Sequence, residues 1–479
     1  MIEILPVICF FTPLVAALIV TPFELVWAKS SRILLIAATL ITLSTSLLMI
    51  PSVTLQASII QHPILPIQVK PSTIGILLAI TTVAFLSSLY NFTVEKEGGR
   101  LSPPVFSIFI LLLLSVMLGL VLFYDIIVLF ILVETTIGVT VILVTHSHGK
   151  FALQAAFKYL IITAISAILF LAGIIILFNL AGDFTIYGLY DKPELLQANP
   201  NLTLLAVALI VAGLGADIGI VPFHGWLPDA VPASPDNVNS FVSVEGVPLF
   251  YALYQLIDPV FKANPSPYII VLLSGVGALS IILGNLLAYR QKDYMRMIAY
   301  SCIDVYGHSA LILGLFNPLA YTAGFFYLIN ASIVKMSLFQ NLGVVTRLSK
   351  TTNMEEMGGL SNKLRKTSYI YLAGALSIVG IPPFAGFYAK ILVYQTLYTF
   401  ISTSNIILGA LAVAGLMSLS LIALSYFILS YHKIFLGSVK NIKLDSSEPH
   451  ILMWLPAAIG IALSLLIGLQ PQLLITSLI

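Results

Sequence analysis

A set of ionisable side chains stands inside apolar sequence, and their types decide what they can do. Glu134 lies in the middle of the run 129–144, Asp217 at the end of another, and Glu245 and Asp304 within two more. Lys158 falls near the start of an apolar run, in Ala155-Ala156-Phe157-Lys158-Tyr159, Lys335 lies deep in one, and Lys390 follows a double proline. His224 and His308 are candidate relay partners. A charge at the centre of a bilayer costs at least ~2.5–3.5 kcal/mol, so such residues face a bundle interior, pair with one another and mark function. A desolvated lysine gives up its proton near neutral pH, a desolvated carboxylate holds one, and an opposite charge nearby shifts each back. Moving one charge along a row of acids and lysines therefore changes the proton affinity of the next group, which is the chemistry of a proton relay. The same residues also suit structural ion pairs that lock helices together. Lys335 and Lys390, each in an otherwise apolar helix, favour the relay. Lys158 and Asp304, near span ends, fit snorkelling or packing equally well, and Glu245 reads both ways.

The elements that must hold these groups are membrane helices. Of the 479 residues 59% are hydrophobic and 9% charged, with a mean hydropathy of +1.05, whereas a soluble domain carries about 25% charged residues. The solvent of this chain is lipid. Its net charge of +2, from charges that are sparse and mostly confined to short loops, gives no reason to expect nucleic acid. Cys9 and Cys302 are the only cysteines; both sit in apolar sequence and read as buried thiols rather than a disulfide. Without a Cys-x-x-Cys, no iron–sulfur or structural zinc site can be built from cysteines. His146 and His148 share one short loop and read as solvated residues rather than a metal site. No metal and no cofactor are expected. The N-terminal segment lacks the charged start and cleavage site of a signal peptide and reads as a retained first helix.

A spanning helix needs about 20 mainly apolar residues, and about 14 such segments occur by that measure. They lie near 4–21, 33–50, 71–91, 104–122, 126–145, 157–180, 203–222, 238–257, 268–288, 297–315, 319–345, 369–396, 406–431 and 453–476. The segment 238–257 is interrupted by Glu245 and Pro248. Loops after odd-numbered spans hold Lys29, Arg32, Lys96, Arg100, Lys150, Arg290, Lys292, Arg296, Arg347, Lys350, Lys363, Arg365, Lys366, Lys433, Lys440 and Lys443. Loops after even-numbered spans hold only Lys70, Lys192 and Lys262. The positive-inside rule places the first set in the cytoplasm, hence an even number of spans and both termini on the extracytoplasmic side of a cell membrane.

Two breaks organise the chain. Val221-Pro222-Phe223-His224-Gly225-Trp226-Leu227-Pro228-Asp229-Ala230 interrupts the seventh span and Pro382-Pro383 the twelfth. Broken backbone at membrane depth is tolerated where it is buried in protein or lines a wet cavity, and paired interruptions at matching positions point to a transport path. Spans four to eight and nine to thirteen form two groups of five, and an odd group size inverts the second against the first. The expected fold class is all-α integral membrane, with two inverted five-helix repeats and broken helices 7 and 12. The units are 1–101, an N-terminal three-helix segment; 102–258 and 268–432, the two repeats; and 433–479, a C-terminal helix.

Four motifs carry a resemblance. Pro222-Phe223-His224-Gly225-Trp226-Leu227-Pro228-Asp229-Ala230 with Ala233-Ser234-Pro235, Gln291-Lys292-Asp293-Tyr294-Met295-Arg296-Met297-Ile298-Ala299-Tyr300-Ser301, Lys335-Met336-Ser337-Leu338-Phe339, and Gly380-Ile381-Pro382-Pro383-Phe384-Ala385-Gly386-Phe387-Tyr388-Ala389-Lys390 occur in this order within roughly 125–435. They resemble the antiporter-like subunits of respiratory complex I, of multi-subunit cation/proton antiporters, and of archaeal membrane-bound hydrogenases and sulfane reductases. The resemblance implies a fold of about fourteen helices with two inverted five-helix units. It also implies a lateral hydrophilic axis that moves protons, driven by redox chemistry in other subunits. Glu134 matches the family's fifth-helix glutamate, Lys335 its eleventh-helix lysine and Lys390 its twelfth-helix lysine.

The departures are as informative. Asp217 stands where the family has a seventh-helix lysine, and Val247, with Glu245 nearby, where it has an eighth-helix lysine. Val305 and Ala331 replace two expected histidines. If Glu134 and Asp217 face each other, one must stay protonated or a cation must bind between them; sodium would suit, with Thr135, Thr136 and carbonyls completing a shell. Alternatively Glu134 pairs with Lys158. The expectation is an ion-translocating subunit for protons, or sodium, in a redox-driven respiratory or antiporter complex. It performs no covalent chemistry alone, and its partners are lipid and the other membrane subunits. The competing reading is a non-conducting subunit that joins those others. A stand-alone transporter of a small solute would need a substrate pocket where the sequence offers a row of ionisable groups.

Overall fold

The computed structural model describes residues 2–27, 30–55, 60–61, 65–94, 99–147, 149–438 and 449–478. His148 and the loop lysines Lys29, Lys96, Lys440 and Lys443 lie outside them. The described chain is built from α1 (Leu5–Val26), α2 (Ser30–Leu55), α3 (Ile74–Val94), α4 (Pro103–Leu122), α5 (Ile126–Val144), α6 (Lys150–Ala181), the short α7 (Ile186–Asp191) and α8 (Pro193–Ala198), and α9 (Pro200–Ile218). It continues through the short α10 (Leu227–Ala233) and α11 (Asp236–Val242) into α12 (Gly246–Ala263), α13 (Pro267–Tyr289), α14 (Tyr294–Leu313) and α15 (Pro318–Ser349). It closes with α16 (Arg365–Val379), α17 (Ala385–Ser402), α18 (Ile406–Tyr431), α19 (Ile451–Leu469) and α20 (Gln472–Ile475). Among the described residues one two-residue antiparallel pairing, Ile60 with Val69 and Gln61 with Gln68, is the only sheet.

These helices start where the sequence lets them. Pro103, Pro200, Pro267 and Pro318 open α4, α9, α13 and α15, positions where the missing N–H is not needed. Asp125, Asp293, Asn317 and Asn405 cap α5, α14, α15 and α18 by accepting from the backbone N–H three residues on, which satisfies donors that a membrane interior would leave bare.

Twelve helices of the described chain are long and apolar enough to cross a membrane. The two other expected spans are present as helices but fail that measure for physical reasons. Helix α14 carries Arg296, Asp304 and His308, and the expected span 369–396 is divided between α16 and α17. The segment 238–257 is found as α11 and α12 with a turn at Ser243–Glu245 between them.

Helix α15 is the central post: its most apolar window is entirely buried, against 17% for α18. Around it pack α3, α11, α14, α16, α17 and α19. Close approach is made by small residues, as lipid offers no hydrophobic drive between helices. A Cβ on Gly277 would lie 2.3 Å from the Leu311 nitrogen, one on Gly284 2.7 Å from the Asp304 nitrogen, and one on Gly307 2.7 Å from the Ile281 nitrogen. Helices α13 and α14 therefore run backbone to backbone, which fixes Asp304. On the other side of the molecule a Cβ on Gly213 of α9 would lie 2.8 Å from the Phe170 nitrogen of α6.

Helices α9 and α16 end alike. Each stops on a left-handed glycine, Gly219 (φ 87°) and Gly380 (φ 92°), where a side chain would be strained. Gly219 and Ile220 both donate to the Gly215 carbonyl, and Gly380 and Ile381 both donate to the Leu376 carbonyl. Prolines follow in each case, so neither helix resumes directly.

Candidate ion path

The second group of charges gathers on α14, α15 and α17. Lys335 is 2% exposed and Lys390 4% exposed. The Lys335 ammonium donates to the Ser301 hydroxyl and to the Ile298 carbonyl at 3.4 Å, with the Phe427 ring 5.8 Å away. The Lys390 ammonium donates to Ser420 Oγ at 2.8 Å, and Tyr394 and Ser420 share a further hydrogen bond. Neither lysine has a carboxylate within 4 Å among the described residues. Asp304 is the electrostatic neighbour of both. Its Oδ1 accepts from Asn285 Nδ2 at 2.6 Å and lies 3.2 Å from His308 Nδ1. The His308 ring stacks on Tyr327, and its Nε2 is buried without a partner. Asp304 is buried in mid-helix against Gly284, a place that suits the relay and packing roles and not snorkelling.

The first group is carboxylates without lysines. Asp217 Oδ1 accepts from Ser166 Oγ at 2.6 Å, and its Oδ2 is buried without a partner. Glu245 Oε1 accepts from Thr140 at 3.2 Å. Glu134 has a buried Oε1 with no partner. The charges of Glu134 and Glu245 both act on Asp217, and all three surround the buried Tyr159, which stacks on Trp226. Val247, at the family's eighth-helix lysine position, is buried, as are Val305 and Ala331. The Thr135 and Thr136 hydroxyls both donate to carbonyls of their own helix, and Thr135 faces outward. Tyr306 of α14 is an electrostatic neighbour of Glu245 and of Cys302, and Cys302 adjoins Lys335.

Lys158 does not pair with Glu134. Its ammonium lies 2.7 Å from Asp229 Oδ2, and Arg296 binds the other oxygen of that carboxylate at 3.0 Å, tying α6, α10 and α14 together. His224 sits in the break beside Lys158, its Nδ1 buried without a partner. The break is held from both sides: Trp226 Nε1 donates to the Ala216 carbonyl at 2.8 Å and the Val221 N–H to Ser280 Oγ at 3.0 Å.

Two pairings were not read from the sequence. Asp229 and Arg296 each sit in a quoted motif, so a search for opposite charges between motifs was open. Asp236, held by Arg347 at 2.7 Å and by the Tyr90 hydroxyl, had no such signal. His146 corrects an expectation: it is buried, its Nδ1 accepting from the Leu101 N–H. Cys9 and Cys302 are free and buried, as expected.

Two buried lysines near one acid, helices that end on left-handed glycines and a bundle of membrane-length helices define a class of multi-pass membrane protein. Residues 124–432 match the model of the family NADH:quinone oxidoreductase/Mrp antiporter, transmembrane, and the chain belongs to that family. It is 29% identical over 419 residues to a Na(+)/H(+) antiporter subunit of Alkalihalophilus pseudofirmus, a match covering 83% of this chain and 51% of that one. It is 32% identical over 244 residues to NADH-quinone oxidoreductase subunit N of Desulforudis audaxviator, covering 50% and 48%. The chain thus matches about half the length of either relative. A chain of the membrane-bound sulfane sulfur reductase, an archaeal respiratory membrane complex, has the same fold, with a TM-score of 0.87 at 24% identity over 98% of this chain and 96% of that one.

Proposed function

We propose that this chain is an ion-translocating, antiporter-like subunit of a multi-subunit complex in the cell membrane, driven by redox chemistry or by ion exchange in partner subunits. The observation that carries this reading is the pair of buried lysines, Lys335 and Lys390, which donate to hydroxyl and carbonyl oxygens, have no carboxylate within 4 Å among the described residues, and share Asp304 as an electrostatic neighbour. Such an arrangement lets either lysine lose its proton without leaving a bound carboxylate behind. His308 extends the row. Its partnerless Nε2 beside Tyr327 offers the next hydrogen-bonding site.

The reading treats 102–258 and 268–432 as inverted repeats, supported by the like endings of α9 and α16. Loop charge supports cytoplasmic placement of Arg296, Arg347 and Lys363 and extracytoplasmic placement of both termini. A second reading applies to the first repeat. Among the described residues Glu134, Asp217 and Glu245 have no lysine in hydrogen-bond reach, which favours either a sodium-dependent path or a structural unit that joins neighbouring subunits. The test of the main reading is ion flux into proteoliposomes holding the assembled complex. Lys335→Ala should abolish flux through this subunit while assembly is retained; unchanged flux refutes it.

A further inference from the structure

At the end of the bundle opposite Arg296 and Arg347, a cavity of about 280 Å³ opens where α15 begins and α12 ends. It is at the small end of the range for ligand sites. Its charged lining is Lys70, Asp258 and Lys262. Two ammonium groups against one carboxylate leave one positive charge in excess, so a free cation is disfavoured there. Lys262 is bridged to Asp258 Oδ2 at 2.8 Å, and the Tyr190 hydroxyl donates to the same oxygen at 2.5 Å. Lys70 has no carboxylate within 4 Å among the described residues and lies over the Tyr187 ring. Burial lowers the proton affinity of Lys70, with Asp258 acting in the opposite direction.

The floor makes the complementary demand. Asp258 is 4% exposed and Gln255, one turn earlier on α12, 7%. Asp258 Oδ1 and Gln255 Oε1 are both buried acceptors with no donor in hydrogen-bond geometry among the described residues, a costly condition, and the Tyr254 hydroxyl adjoins the Asp258 carboxylate. Tyrosines 190, 251, 254 and 321 wall the space between rim and floor.

We propose that this cavity binds a phosphate ester carrying hydroxyl or ammonium donors. The phosphate sits at Lys70 and Lys262, and the donors reach Asp258 Oδ1 and Gln255 Oε1. One anionic group cancels the excess charge, and one or two donors satisfy the floor. A phospholipid headgroup and a soluble glycerophosphate share this chemistry. The site is separate from the ion path and independent of whether that path conducts.

Native mass spectrometry of the assembled, partly delipidated complex tests it, with phosphatidylglycerol and glycerol 3-phosphate as the two probes. The wild type should bind one equivalent, and Lys70→Gln with Lys262→Gln should weaken binding by roughly tenfold or more, the worth of one charge-assisted hydrogen bond. Loss confined to phosphatidylglycerol identifies a lipid headgroup, and loss confined to glycerol 3-phosphate a soluble ester. If the double variant does not assemble, Thr322→Trp, which fills the cavity from α15 with both lysines retained, should displace the probe instead. A wild type that binds neither probe, or binding unaltered in an assembled variant, overturns the assignment.

Discussion

Lys335 and Lys390 owe their meaning to what they do not touch. A buried lysine facing a carboxylate at salt-bridge distance would be a lock, whereas here the ammonium groups rest on Ser301 and Ser420. Tyr306 neighbours both Glu245 of the first group and Cys302 beside the second. Tyr306→Phe keeps the ring and removes the hydroxyl; if the hydroxyl carries a proton between the halves, flux should fall roughly tenfold, the worth of one hydrogen bond. Asp236 is a different case. Asp236→Ala removes the carboxylate that binds Arg347 at 2.7 Å and accepts from the Tyr90 hydroxyl, and should cost about 1–3 kcal/mol, seen as a lower melting temperature in detergent with no specific effect on ion selectivity. The Lys158–Asp229–Arg296 cluster is half-exposed, so Asp229→Asn should change stability by only about 0–1 kcal/mol per pair. For Asp217, flux that depends on sodium in wild type and loses that dependence in Asp217→Asn would establish a sodium path; indifference to sodium in both would favour the structural reading.

At the scale of the element, apolar runs gave the helices their places, because a helix in lipid satisfies every backbone group within itself. The ends of α9 at Ile218 and α16 at Val379 coincide with the glycines and prolines that follow them in the sequence. Less legible were the long-range pairs: Lys158 and Asp229 are 71 residues apart, Arg347 and Asp236 111, and no local pattern joins them. Asp304 shows the same limit. Its burial depends on Gly277, Gly284 and Gly307 drawing α13 against α14, which no periodicity announces. Gly284→Val should therefore push the helices apart at a cost of about 1–3 kcal/mol or more and disturb flux through the misplaced Asp304. Gly138→Ala and Gly275→Ala, helical positions with nothing within 4 Å of the added atom, should be neutral or stabilising by about 0.4–1 kcal/mol. Thermal shifts of the three variants check both halves of that contrast.

Across the whole molecule, the charges divide into two groups of different chemistry. One has lysines around an acid and a histidine; the other has three carboxylates around a tyrosine. Orientation is testable with the native thiols left in place, since Cys9 and Cys302 are buried. Lys363 and Gln470 are exposed, and cysteines at these positions should react with an impermeant reagent from opposite faces, Lys363→Cys from the cytoplasm; labelling of both from one face would refute the topology. The most direct measurement concerns Lys390. In proteoliposomes containing the complete complex, ion flux and the driving reaction are recorded together for wild type and Lys390→Ala. The account predicts an assembled complex whose flux per turnover falls by the share of this subunit; wild-type flux per turnover in the assembled variant would contradict it.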